Sequence, residues 1–204
     1  VAAIRVNPND VLDGISHGMN LVEYQKSLGH KNTTILKTNI SWQHFYPACS
    51  TTPWQFDGVI SELKSANYTN LLAAYNGTVV VNPIDGAKNN KHTAVEEKHG
   101  LKSIFLDFPP TKWVKYTPKS KMLVLDTIFP EGIQIPEIFI GSNIIHLPTA
   151  KTHVFTTMTG AMKNAFGGLL NRKRHWTHSV IHETLVDLLK IQKEIHPEIL
   201  AVTD

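Results

Sequence analysis

The 204-residue sequence contains a single cysteine, Cys49, and this scarcity excludes several kinds of protein. One cysteine cannot form a disulfide within the chain, and it cannot supply an all-cysteine iron–sulfur or zinc site. An iron–sulfur cluster is therefore not supported by this chain. Because proteins without disulfides are typical of reducing compartments, we expect a cytoplasmic protein.

The sequence also lacks long apolar runs and a strong net charge. No apolar run reaches the ~18 residues that indicate a transmembrane helix, and the first residues, VAAIRVNPND, lack the apolar core of a signal peptide. The formal charge of +3 is too small to indicate nucleic-acid binding, and no DNA- or RNA-binding signature is present. We therefore expect neither a membrane nor a nucleic acid as partner, and the sequence does not indicate an oligomeric state.

The order of the predicted elements favours an α/β fold with a mainly parallel sheet flanked by helices. Short runs of β-branched and apolar residues predict strands at 33–41, 69–76, 102–108, 122–125, 143–147 and 198–204. Apolar residues at helical spacing, with capping and stop signals, predict helices at 14–30, 52–67, 92–100 and 177–197. Residues 109–121 are expected to form a loop or an exposed edge hairpin.

The elements are expected to form a single domain over residues 1–204. The last residues, ILAVTD, are typical of a strand without an exit loop. We therefore expect a domain that is incomplete at its C-terminus.

Acidic residues are missing from one long segment, which is where we expect the functional site. No Asp or Glu occurs between Ile138 and His182, whereas five of the eleven histidines lie there. In proteins with an open parallel sheet, ligands bind at the carboxyl ends of the strands. The segments 39–52, 76–91 and 149–168 each follow a predicted strand, so they are the candidates for that position.

The segment 149–168, TAKTHVFTTMTGAMKNAFGG, has the composition of an anion site. Lys151 and His153 are two positions apart and would face the same way in an extended chain. If a helix begins near Thr159 or Gly160, its free N–H groups point at an anion. Lys163 would then add a point charge or, if desolvated, a nucleophilic amine, and we count Asn164 beside it among the ligand-binding residues. The alternative is an ordinary glycine-punctuated turn with a solvated lysine.

The next segment, NRKRHWTHSVIHE, is basic and rich in histidine. We expect Arg172 and Arg174 to help hold an anion. His175, His178 and His182 would share one stripe of a helix, and imidazole suits several transition metals, so His175 and His178 are candidate metal ligands. The alternative is a solvated helix start.

The segment 39–52 provides a third candidate. Ser50 and Thr51 precede a predicted helix and could bind an anion at its N-terminus. Cys49 lies close to the same helix N-terminus, an environment typical of nucleophilic cysteines, and a catalytic pair with His44 is one interpretation. A small buried cysteine is the plainer interpretation.

Several blocks together resemble a known family. In order, they are ILKTNISW, CSTTPWQFDGVISELK, HLPTAKTHVFTTMTGAMKNAFGG, RHWTH, HETLVDLL and AVTD. Across residues 33–204 they resemble the domain of unknown function 362 family, with KTH…TGAMKN as the most specific block. Family members continue past the final Asp into a glycine-rich segment, which implies that part of the domain is missing here. Some members carry ferredoxin-like cysteine clusters, which this chain lacks.

A more distant similarity is to the nickel-pincer lactate racemase family. Its members have a His, then a Lys that carries the pyridinium cofactor, then a further His. His153, Lys163 and either His175 or His178 are similar in order and spacing. This resemblance implies that Lys163 anchors a cofactor or substrate and that the histidines act as acid–base or metal groups.

We interpret the chain as an enzyme of unknown reaction that binds an anionic small molecule, a phosphate or a carboxylate. Lys163 is the expected electrostatic or covalent anchor. His153 and His178 are the expected general acid–base groups, since unperturbed imidazole titrates near neutral pH. The alternatives are a metal or organometallic-cofactor enzyme using the histidine cluster, and a non-catalytic binding or redox-partner domain.

Overall fold

The fold is built on a parallel β-sheet. The computed structural model describes residues 1–78, 80–170 and 173–204. Its strands are β1 Thr34–Thr38, β2 Leu71–Tyr75, β3 Lys102–Phe105, β4 Trp113–Tyr116, β5 Ile133–Pro136, β6 Asn143–Leu147, β7 Lys151–His153, β8 Thr157–Thr159 and β9 Ile199–Ala201. Five of them form one sheet in the order β3-β2-β1-β6-β9, and every neighbouring pair in it is parallel. The predicted α/β fold with a mainly parallel sheet is confirmed.

Helices cover both faces of this sheet. They are α1 Val11–Leu21, α2 Pro53–Ser65, α3 Pro83–Asn89, α4 His92–His99, α5 Leu125–Ile128, α6 Ala161–Leu169 and α7 Ile181–Ile195. Short 3₁₀ helices occupy Tyr24–Lys26, Glu137–Phe139 and Arg174–Val180. Within the described ranges, no helix combines the length and the apolar character needed to cross a membrane.

The hydrophobic core has two parts, because successive side chains of each strand point to opposite faces of the sheet. One face carries Leu36, Ala73 and Ile145, which pack in an apolar cluster with α1, α2 and α4. The opposite face carries Ile35 and Ile144 and packs against α5, α6 and α7. Both faces are covered, as is usual for a parallel sheet.

The local signals at α2 and α4 behave as predicted. Thr52 is the N-cap of α2, its side chain accepts a hydrogen bond from the Gln55 N–H, and Pro53 occupies the first turn. Gly100 ends α4 in the left-handed conformation that glycine favours.

The strand predicted at 122–125 is wrong. The backbone N–H groups of Leu123, Val124 and Leu125 donate to the buried carboxylate of Asp187 at 2.8–3.2 Å, and the short helix α5 begins there. A distant carboxylate therefore takes the donors that a strand ladder would have used. The edge hairpin suggested for 109–121 exists in part, because β4 pairs with the distant β5 rather than with a strand inside that range.

Three further elements differ from prediction. The helix expected over 177–197 begins as a 3₁₀ helix, and its α-helical part starts only at Ile181. The helix α3 lies inside a segment predicted as loop, capped by the Asn82 side chain. The last strand, predicted over 198–204, is the shorter edge strand β9, whose residues are half-buried or exposed.

Candidate functional site

A cavity of about 870 Å³ lies at the carboxyl ends of β1, β2, β3 and β6. This is the edge at which open parallel sheets bind ligands. All three candidate segments contribute to it, since Asn39 and Ser41 follow β1, Asn76 to Thr78 follow β2, and Lys151 follows β6. The ionisable side chains among its described lining residues are Lys151, His153, Lys163, Arg174, His175, His178 and Asp107.

The hairpin β7–β8 presents the first pair of cationic and imidazole groups. Lys151 and His153 are two positions apart in β7, so their side chains lie on the same side of the strand. Both line the cavity, as their spacing predicted. The Lys151 ammonium donates to the Ser41 hydroxyl and to the Cys49 carbonyl, so it links the hairpin to the segment after β1. Burial lowers the pKa of Lys151 from its ordinary value.

The helix α6 positions Lys163 within its first turn. Gly160 is the N-cap, as predicted, and Ala161 is the first helical residue. The Lys163 ammonium lies 4.5 Å from the centroid of the Phe166 ring, within cation–π distance. Burial, and then the positive charges of Arg174 and Lys151, lower the pKa of Lys163 to about 8. Burial first, and then these neighbouring charges, therefore destabilise the charged form of the amine.

The 3₁₀ helix Arg174–Val180 supplies the remaining groups. Residues three apart eclipse in a 3₁₀ helix, which places His175 and His178 on one side, and both line the cavity. The His178 ring stacks on Phe155 at 4.5 Å between centroids and lies 5.6 Å from Phe166. Burial first, and then the charge of Lys163, lower the pKa of His178.

His153 has a defined tautomer. Its Nδ1 accepts from the backbone N–H groups of Phe155 at 3.2 Å and Thr156 at 3.4 Å, which assigns the ring proton to Nε2. Burial, Lys163 and His178 also lower the pKa of His153, in that order. The ring is thus a neutral imidazole with its Nε2–H left to donate.

Asp107 is an ionisable residue of the lining that the sequence did not indicate. The segment 138–182 contains no acid, but the fold brings Asp107 in from the end of β3, where its carboxylate accepts from the Gly77 N–H at 2.5 Å. Arg174 donates to the Gly77 carbonyl at 2.6 Å, so the two side chains hold the same glycine. The available signal was an acid close to the carboxyl end of a predicted strand, the position at which parallel sheets bind ligands.

Two buried polar atoms of the lining have no hydrogen-bond partner within the described part of the chain. They are the Thr159 hydroxyl, on a residue only 5% exposed, and the Asn39 side-chain nitrogen. Because a buried polar group without a hydrogen bond costs free energy, both are suited to a ligand that supplies the missing partner.

Asn164 and the paired glycines connect the cavity to the sheet beneath it. The Asn164 side-chain nitrogen donates to the Lys37 carbonyl at 2.8 Å and lies 3.3 Å from His146 Nδ1. Gly168 has a φ of +96°, and a Cβ there would stand 2.6 Å from Leu106 Cδ1. The glycine pair therefore allows α6 to approach the sheet closely.

Several predicted site residues are not brought to the cavity. Ser50 and Thr51 are buried, and their hydroxyls bond to backbone, the Ser50 oxygen accepting from Ser41 N–H and the Thr51 hydroxyl donating to the Leu147 carbonyl. Gly160 is not a lining residue, although Thr159 beside it is. Arg172 lies outside the described residues.

The metal prediction has no preformed site in this geometry. Among the residues that the structure describes, no three His, Cys, Asp or Glu side chains are placed to hold a metal ion. The ligand role of His175 and His178 stays a prediction.

Fold and cavity together define an α/β protein with a cationic site at the carboxyl edge of a parallel sheet. The sequence profile described as domain of unknown function (DUF362) matches residues 34–204. The chain belongs to this family, as its sequence blocks indicated. Comparisons with curated proteins and with solved structures gave no significant match.

Proposed function

We propose that the protein is an enzyme that binds an anionic small molecule, a phosphate or a carboxylate, in the cavity at the sheet edge. One observation carries the proposal: three cations and three imidazoles, contributed by separate segments, converge on a lining that contains one acid among its described residues. Like charges this close repel each other, and a bound anion removes that cost.

Lys163 is the anchor in this proposal. Its lowered pKa has burial as the largest cause, followed by the nearby Arg174 and Lys151. An anion beside it would favour the charged amine and receive a charge-assisted hydrogen bond. In the uncharged form, the same amine is the nucleophile for a covalent step.

The two histidines divide the acid–base work. His153 holds its proton on Nε2 and is suited to donate to the ligand. His178 contacts the rings of Phe155 and Phe166, and burial and Lys163 lower its pKa and disfavour its charged form, so its neutral ring is suited to accept a proton.

A racemase-like enzyme with a metal or organometallic cofactor is the second candidate. It is favoured by the position of His153, Lys163 and His178 on one cavity, in the chain order of that family's block. Metal analysis of purified, untagged protein tests it: nickel, zinc or iron at near-stoichiometric amounts supports it, and their absence counts against it.

The leading proposal is tested by Lys163→Met, with Lys193→Met on the exposed side of α7 as the matched control. We expect phosphate, nucleotides or hydroxy acids to raise the Tm of the parent and of the control. Losing one charge-assisted contact weakens binding roughly tenfold or more, so the shift should vanish in Lys163→Met at the same ligand concentration.

Circular dichroism would establish that the Lys163 variant is folded. Equal thermal shifts in the variant and the parent would contradict the role of Lys163. No shift of the parent with any of these anions would contradict the proposed function as a whole.

A further inference from the structure

Lys37 is a buried lysine directly beneath the cavity. It lies in the central strand β1, level with Ala74 on β2 and His146 on β6, and its side chain is on the face covered by α6. The residue is 1% exposed. It does not line the cavity itself, but Asn164, which does, donates to its backbone carbonyl.

The Lys37 amine has little to stabilise it as a cation. Its Nζ donates to the Thr38 carbonyl at 2.5 Å, and none of the salt bridges among the described residues includes it. The α6 backbone covers the Lys37 side chain, since a Cβ on Gly168 would stand 3.4 Å from Lys37 Cε. A buried ammonium with one neutral acceptor is costly, and it releases its proton more readily than a solvated one.

The titratable groups around Lys37 come from four parts of the chain. Arg174 of the 3₁₀ helix and Lys163 of α6 disfavour its charged form, whereas Asp107 after β3 favours it. On β6, His146 is kept neutral by burial and donates to the Gln192 side chain at 2.6 Å. Burial is the largest cause, and together these effects lower the pKa of Lys37 to about 7.

A methionine or leucine would fill this position without the cost of a buried amine. The position differs from others in the sheet because two cations of the cavity, Lys163 and Arg174, are close enough to act on it electrostatically. The same electrostatic coupling would transmit the arrival of a negative charge. The amine is therefore placed to respond to whatever binds above it.

We propose that Lys37 belongs to the anion site as a buried proton acceptor: only partly protonated at neutral pH when the cavity is empty, its amine takes up protons from solvent as an anion binds beside Lys163 and Arg174. The inference rests on the proposed function. The added charge deepens the positive potential of the site, so doubly charged anions are favoured over singly charged ones. Binding of such an anion is accompanied by uptake of a proton at neutral pH.

The test follows the Lys37 Cε resonance by NMR in the parent protein labelled with ¹³C, assigned through bonds from the backbone so that no variant is needed. The titration is done without ligand and with saturating sulfate or oxalate. Both probes are fully ionised near neutral pH and bring no proton of their own. We expect binding to move the midpoint of the Lys37 titration from near neutrality to higher pH. The shift should correspond to at least a tenfold increase in the proton affinity of the amine.

Calorimetry at pH 7.5 in two buffers of different ionisation enthalpy gives an independent readout. The parent and the Lys193→Met control should take up protons as sulfate or oxalate binds, and Lys37→Met should take up fewer. If the parent binds a probe while the Lys37 midpoint and the proton uptake stay unchanged, the inference fails and the proposed function stands. If neither these probes nor phosphate, nucleotides and hydroxy acids bind the parent, both fail.

Discussion

The two faces of the central sheet differ in what they bury at the same level. On the face covered by α1 and α2, the row contains Leu36, Ala73 and Ile145. One residue further along, on the face covered by α6, the row contains Lys37, Ala74 and His146. All these residues are buried, so the difference is one of chemistry rather than exposure.

Buried charge on the first face is matched by donors. Glu62 of α2 accepts from the Ser16 hydroxyl at 2.6 Å, Asn20 at 3.0 Å and the Tyr24 hydroxyl at 2.9 Å. On the second face, Lys37 has one neutral acceptor. The buried carboxylate is thus satisfied by neighbouring side chains, whereas the buried amine has no salt-bridge partner among the described residues and lies beneath the cavity, where a bound anion can act on it.

The largest effect is expected when the first face is given a lysine. Leu36→Lys would bury an amine among apolar side chains with no cavity above it, and we expect a loss of about 4 kcal/mol in the free energy of unfolding at pH 7. Urea denaturation measures it, and the loss should shrink at pH 10, where the unfolded lysine is partly neutral.

Leu36→Met is the control for this variant, because a conservative apolar exchange usually costs less than about 1.5 kcal/mol. If Leu36→Lys were no more destabilising than Leu36→Met, the two faces would be equally tolerant of charge and the contrast would be wrong.

On the second face, removing the buried lysine is expected to increase the free energy of unfolding. Lys37 has a pKa of about 7 in the folded protein against an ordinary value of 10.5, so between these pH values the unfolded chain binds more protons than the folded one. The parent therefore gains stability as pH rises through this window and lacks that gain at pH 7. Lys37→Met should raise the free energy of unfolding by about 3 kcal/mol at pH 7, and by much less at pH 10.

Denaturation of the parent and of Lys37→Met at several pH values checks this. A variant that is less stable than the parent at pH 7, or an advantage that does not depend on pH, would contradict a buried neutral amine at this position.

The smallest effect concerns the glycine that lets α6 cover Lys37. At Gly168, the positive φ and the 2.6 Å approach to Leu106 both oppose a side chain, and Gly168→Ala should cost about 2 kcal/mol. Gly160→Ala is the matched control, since a Cβ there meets nothing within 4 Å and the backbone is extended. We expect that control to change stability by less than about 0.5 kcal/mol. Equal losses in the two variants would remove the argument for a close approach at Gly168.

Local signals predicted much of the fold. The strand β6 has the predicted bounds, and the caps Thr52, Gly100 and Gly160 lie where short-range chemistry puts them. The strand predicted at 122–125 failed because Asp187, more than sixty residues away, takes its backbone donors. Residue propensity contains no information about such a partner.

The sequence also predicted the residues of the candidate site only in part. Lys151, His153 and Lys163 reach one cavity, since alternation in a strand and the first turn of a helix are local geometry. Ser50 and Thr51 were equally plausible by composition, but the backbone of their own loop and of β6 uses their hydroxyls. Whether a hydroxyl is available to a ligand depends on partners that only the folded chain supplies.

The sequence by itself determined the α/β alternation, the family and the acid-free segment that lines one side of the cavity. Only the tertiary structure brought Asp107 to Gly77 and placed Lys37 beneath Arg174 and Lys163. The physical reason is that burial and charge act through space: a lysine in a strand is an ordinary solvated cation or a perturbed amine depending on which distant segments cover it.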